Sequence, residues 1–444
     1  MLKYQLGAVT QMAMSNYYGR SDTEKSVMNL PFILYLKGTM DVKRLENSIK
    51  KVMNAEALHT YLTVEGSTFY ANVRDNYSFV LEVEDAVGTS ESEKLEYVSN
   101  FSKSKALEPL PLFNSEKNQS YFKLFRIDEE YHILLMIVHH TFLDFGAIMI
   151  AMNHIFGYYN DDNFKIPEGS EVSKFINEET AFYQTEDAKK EDEFWSKSLA
   201  NVKKPTLIAE SKSLNTKPIN KEELIALFNR AELESIATKN RTSMFNIIML
   251  IIHMAIAKVN GTNDTLTQYA ISNRSDREYR FTLGCLTRVL NNPVTFDDDM
   301  NTFDLNKLMR KKMGDGYQNR HVAGKTILGS IPYVIANEDM KDLDVFPMFN
   351  GSPVKFDLVS SSRSLKFIIF LILPVGTDNV AIKISTDVTS YGKHSMELIN
   401  AIKLAGQFLT KYPNRTFEDF MRKDITLDTL SILDSDDDIE IIEI

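Results

Sequence analysis

At 444 residues the chain exceeds the roughly 250–300 residues at which one hydrophobic core stops growing, so two lobes are expected. A hydrophobic fraction of 43% with 11% aromatics excludes a disordered chain, and a single cysteine excludes a disulfide framework or a multi-cysteine metal site. The 50 Lys and Arg against 61 Asp and Glu give −11, which excludes a general nucleic-acid binder because that needs a basic face.

The opening MLKYQLGAVTQMAM lacks the charged and long apolar regions of a signal peptide. Residues 30–36 (LPFILYL) form a buried-strand run closed by Lys37 and Gly38. Asp41 then caps a helix whose stripe is Val42, Leu45, Ile49, Val52 and Met53. Extended runs follow at 60–64 and 69–73. Residues 132–138 (HILLMIV) are apolar throughout, as in a central strand covered on both faces. They lead into His139, His140 and an apolar helix over 146–156.

The polar stretch 158–170 (YYNDDNFKIPEGS) predicts the boundary between lobes 1–165 and 166–430, and charged helices run from it to Trp195. The second lobe repeats the logic of the first. A buried helix spans 245–258, a Gly261 turn follows, and 266–271 is a strand. Its apolar part, 245–257, carries Asn246 and His253 and is too short to cross a bilayer, so a soluble, cytoplasmic protein with no membrane contact is expected. A hairpin over 365–373 and 380–385 and an amphipathic helix over 395–409 close the lobe. The tail, 431–444, holds six acids and no base over 434–444. It reads as a solvated end, or as a docking strand that adds its isoleucines to a partner's sheet edge.

The sharpest local feature is V-H-H-T-F-L-D-F-G at 138–146. A histidine at a strand end with a carboxylate four residues on is a plausible general base, if a turn puts His140 and Asp144 on one face. Other readings stay open at this level. Both histidines can be packed without a chemical role. With Asp144 they can bind a metal, although adjacent strand residues point to opposite sides. Cys285 can be a nucleophile, although TLGCLTR shows no activating group.

HHTFLDF resembles the HHxxxDG signature of chloramphenicol acetyltransferase-like acyltransferases, and within them the match extends to condensation domains of nonribosomal peptide synthetases. Residues 29–60 are similar to the family's strand, helix and "HExLRT" segment, and Phe194-Trp195 stands where the family has Tyr-Trp. DTLTQYAISNR (264–274) resembles its arginine-ending strand. LGCLTRVLNNPVTF (283–296) resembles its "G-x-F-V-N-T" segment, and the run from KFDLVSS (355–361) onward resembles its closing region.

The resemblance implies an α/β fold of two acetyltransferase-like lobes in a V, with a central tunnel. It makes His140 the general base or positioning group and His139 structural. Asp144 becomes an architectural residue paired with Arg274. Phe145 replaces the signature glycine, with Gly146 one place later, and Arg288 replaces the asparagine of G-x-F-V-N-T. Phe145, Gly146 and Arg288 are thus tunnel candidates, and phenylalanine is a poor substitute if the turn needs φ > 0 at 145.

The implied activity is a stand-alone acyltransferase that joins a carrier-protein-bound thioester to an amine or hydroxyl. It uses no metal and no cofactor beyond the phosphopantetheine of carrier proteins acting in trans. Alternatives are an O-acyltransferase of a small alcohol or lipid, and a non-catalytic recruitment domain.

Overall fold

The computed structural model describes residues 2–19, 25–75, 78–200, 221–322, 333–336, 347–359, 368–375 and 377–435. The expected docking strand therefore lies, from 436 onward, outside the described residues. The chain forms two compact units. One comprises Met1–Thr185, Ser272–Arg288 and Asp339–Ser361, and the other Glu186–Ile271, Val289–Glu338 and Ser362–Ile444. The polar stretch 158–170 thus lies inside the first unit, which two later segments rejoin.

The first unit is built on a five-stranded sheet in the order Lys355–Leu358, Asn29–Lys37, Tyr131–His139, Tyr121–Arg126, Glu82–Asp85. The first four are antiparallel neighbours, and the last pair is parallel. Alternation of side chains gives the sheet two apolar faces. Phe32, Leu34, Leu36, Leu134, Met136 and Val138 pack with helices Val42–Met53 and Phe145–Asn160. Ile33, Ile133, Leu135 and Ile137 face helix Glu91–Ala106 through Val98 and Phe101. This explains the uninterrupted apolar run of strand Tyr131–His139, which has no solvent face to make polar.

Local signals set the ends of these elements. Asp41 caps its helix by accepting the Arg44 amide at 2.9 Å. A small sheet of Lys3–Gln5, Thr68–Val73 and Thr60–Glu65 lies in the same unit, with helix Ala8–Tyr18 braced on it. That brace is Gln11, whose side chain donates to and accepts from the Phe69 backbone. Helix Val172–Phe182 belongs here as well, because Glu56 accepts from the amide and hydroxyl of Ser173, both at 2.9 Å.

The second unit holds a six-stranded mixed sheet in the order Arg288–Thr295, Asp264–Ile271, Tyr333–Ala336, Ile369–Val375, Asn379–Asp387, Lys221–Asn229. Helix Met244–Asn260 is buried from Ile247 through Ala257 and ends at Gly261 in the left-handed conformation, φ 62°. Its histidine is fully engaged. Asn292 Nδ2 can only donate to His253 Nε2, at 3.2 Å, so the proton sits on Nδ1 and goes to Thr265 Oγ1 at 2.7 Å. No single helix among the described residues is long and apolar enough to cross a membrane.

Candidate active site

The central strand of the first unit ends at His139, and a turn over the next residues leads to the helix that starts at Phe145. The turn is closed by Phe142 N–H donating to His139 O at 3.0 Å. The two histidines diverge as strand neighbours must. His139 is fully buried, while His140 is half-buried. The Thr141 amide donates to His139 Nδ1 at 3.2 Å, which makes His139 the Nε2–H tautomer. Burial, and then the neighbouring His140, push its pKa down to about 3, so it stays neutral. His140 is fixed through its backbone, its N–H donating to Met28 O at 2.9 Å.

Asp144 is the N-cap of helix Phe145–Asn160. One oxygen, Oδ1, accepts the Ala147 amide at 2.8 Å. The other, Oδ2, accepts from Arg274 Nη1 at 2.8 Å, the Leu286 amide at 2.8 Å, and the amide and hydroxyl of Thr287 at 3.1 and 3.3 Å. None of these bonds reaches His140. Asp144 therefore does not orient the imidazole directly, which removes the simple His–carboxylate pair from the readings of the spacing. Its carboxylate instead anchors the helix start to the segment 282–287.

Arg274 completes that anchor. Its Nη1 also donates to Ser272 O at 3.1 Å, and its Nη2 to Thr282 O at 3.2 Å and Gly284 O at 3.0 Å. Both side chains of the Asp144–Arg274 pair are only 3% exposed, so each charge needs the other. Gly146 lies against this guanidinium: an added β-carbon would stand 3.4 Å from Cζ, Nε and Nη1 of Arg274.

Phe145 takes the first position of the helix with ordinary negative φ, because among the described residues the non-glycine ones with positive φ are Arg241, Asn273 and Asn350. The expected conflict at 145 is thereby corrected: no left-handed backbone is required there. Phe145 is half-buried and packs on Phe32, ring centroids 6.0 Å apart.

Arg288 forms a buried ion pair with Glu179. Cys285 sits next to the Asp144 anchor in sequence, and burial, then the Asp144 charge, push its thiol well above the usual range. A protonated thiol is a poor nucleophile, which argues against that alternative. Among the described residues no group of three or more His, Cys, Asp or Glu is placed to hold a metal ion.

Thr287 stands inside the segment 283–296, yet neither its type nor its spacing marks it as a partner of Asp144. Glu179 is one acid among several in a charged helix, without any pattern to single it out. Trp195, singled out beside Phe194, is buried and donates Nε1–H to Asn319 O at 2.7 Å in the second unit.

The condensation-domain family model matches residues 16–327, more than half of the chain. Bacitracin synthase 1 of Bacillus licheniformis is 21% identical over 408 residues, covering 87% of this chain. The chain spans 8% of that relative's length. Among solved structures, a double mutant of the starter condensation domain of rhizomide synthetase in complex with C8-CoA and Leu-SNAC is matched with a TM-score of 0.75 at 12% identity, over 94% of this chain and 96% of that one. The SgcC5 protein of Streptomyces globisporus is matched with a TM-score of 0.74 at 15% identity, over 93% and 100%. The fold is the two-unit α/β fold of these solved condensation domains. The chain belongs to the condensation-domain family.

Proposed function

We propose that the protein is a cytoplasmic acyltransferase. In this reading it joins the acyl group of a carrier-protein thioester to an amine or hydroxyl acceptor, with carrier proteins as partners. The observation that carries the reading is the contrast between the two adjacent histidines. His139 is sealed and neutral, whereas His140 is the one solvent reaches, on a turn whose far end is pinned by Asp144.

The chemistry asks for one proton carrier. The acceptor attacks the thioester carbonyl, and His140 takes its proton as the new bond forms. The tetrahedral intermediate collapses with loss of the C–S bond, and the imidazolium returns the proton to the departing thiolate. An α-amine has a pKa of about 7.7–8, so a group that accepts or orients its proton is useful near neutral pH. The remaining contribution is orientation, which turns two carried reactants into an effectively intramolecular pair.

The structural neighbours support this choice of substrates. A double mutant of the rhizomide domain was crystallised with C8-CoA and Leu-SNAC, which we read as acyl donor and amine. SgcC5 was crystallised with (R)-(-)-1-(2-naphthyl)-1,2-ethanediol and sucrose, and the diol keeps ester formation as the second reading. The test is the product mass when purified protein is mixed with loaded carrier and either an amine or an alcohol. An amide adduct supports the first reading, an ester adduct the second. No adduct with any donor overturns both and leaves a recruitment role.

A further inference from the structure

Arg288 puts a cation where the resembling motif has an amide, and a buried cation needs a partner. Glu179 provides it, its Oε1 accepting from Arg288 Nε at 3.0 Å and Nη2 at 2.9 Å. Both side chains are 5% exposed, and the guanidinium lies over the Phe175 ring at 5.4 Å. The second Glu179 oxygen, Oε2, accepts the Ala8 amide at 3.1 Å. That amide is the first of helix Ala8–Tyr18, where unsatisfied N–H groups and the helix dipole favour a carboxylate. Gly7 makes the approach possible, since a β-carbon there would stand 2.8 Å from Oε2.

The same helix reaches the turn of the candidate site. Its fully buried Met14 accepts the Thr141 hydroxyl at Sδ, at 3.2 Å. Thr141 follows His140 and gives its amide to His139. A continuous set of contacts therefore runs from Arg288 through Glu179 and the helix to the residue beside the imidazole. We infer that the Glu179–Arg288 pair is a positioning device for the His140 turn, acting through helix Ala8–Tyr18. This role rests on the acyl transfer proposed above.

Three variants of the full chain test it: Arg288→Asn, Glu179→Gln and Gly7→Ala. Hydrogen–deuterium exchange is followed by mass spectrometry over residues 8–18 and 138–146, alongside kcat and KM with loaded carrier. Faster exchange in both segments is expected, with kcat down about tenfold, the worth of one charge-assisted hydrogen bond, and KM within about twofold. Arg288→Lys keeps the charge and is expected to retain most of kcat.

Unchanged exchange over 138–146, or an equal rise throughout strand Asn29–Lys37, overturns the inference. If Arg288→Asn does not fold, Gly7→Ala decides, because it displaces the carboxylate without stranding a charge. A parent protein without transfer activity overturns the proposed reaction while the exchange measurement still judges the coupling, so the two failures read separately.

Discussion

Arg274 Nη1 donates to Asp144 Oδ2 at 2.8 Å, joining residues 130 positions apart and both almost wholly withdrawn from solvent. The carboxylate meets this guanidinium, two backbone amides and the Thr287 hydroxyl on one oxygen. Removing one partner strands the other. Asp144→Ala is expected to lose about 3–5 kcal/mol of stability, the usual cost of an unpaired buried charge. Urea unfolding measures it. A loss below about 1 kcal/mol would mean that the pair does not hold the segment 282–287 to the helix.

The neighbouring glycine gives a second prediction. The family signature puts its glycine at the position held here by Phe145, yet the guanidinium presses on Gly146. Gly146→Val is expected to cost about 1–3 kcal/mol by forcing Arg274 away, as overpacking does. Phe145→Gly should lose only its packing on Phe32 and leave transfer activity in place. Circular-dichroism melts and a transfer assay separate the two effects.

The chain framework was legible because it is written in apolar periodicity. Strand Tyr131–His139 and helix Val42–Met53 fall within two residues of where their patterns place them. Helix Glu91–Ala106 was not legible: it buries Val98, Ser102 and Ala106 and is otherwise polar, so its stripe is too thin to read. In the candidate site, the Asp144–Arg274 pairing was reachable through the motif resemblance. The Glu179–Arg288 pairing was not, because nothing local marks one acid of FINEETAF as the partner of a distant arginine. The return of segment 272–288 to the first unit is a property of tertiary contacts, which no local pattern encodes.

Acid should destabilise the protein through its buried histidines. Burial pushes His139 and His253 down to about 3 and His154 to about 4, so they stay neutral in the fold. Unfolded histidines protonate below about 6.5, so stability present above that pH is lost as pH falls toward 3–4. Each fully neutral histidine costs about 2 kcal/mol by pH 5 on this basis. The urea midpoint should drop between pH 7 and pH 5. His154→Leu should soften the drop, since His154 Nδ1 is buried with no hydrogen-bond partner among the described residues. An equal drop in that variant would contradict the assignment.

Cys285 should be dispensable. Its thiol is held protonated by burial and by the Asp144 charge, so Cys285→Ala is expected to keep activity within about twofold of the parent. Iodoacetamide labelling at pH 7.5 should be slow in the folded protein and fast in urea. Rapid labelling of the native chain would reopen the nucleophile reading.

The most direct test concerns the imidazole at 140. With a loaded carrier and an acceptor that the parent uses, kcat is measured for the parent and for His140→Ala, and exchange over 138–146 checks that the turn is intact. A general acid–base role for His140 predicts a loss of about 10²–10⁴-fold, the range for removing such a group, with folding preserved. Turnover by His140→Ala equal to the parent's would contradict it.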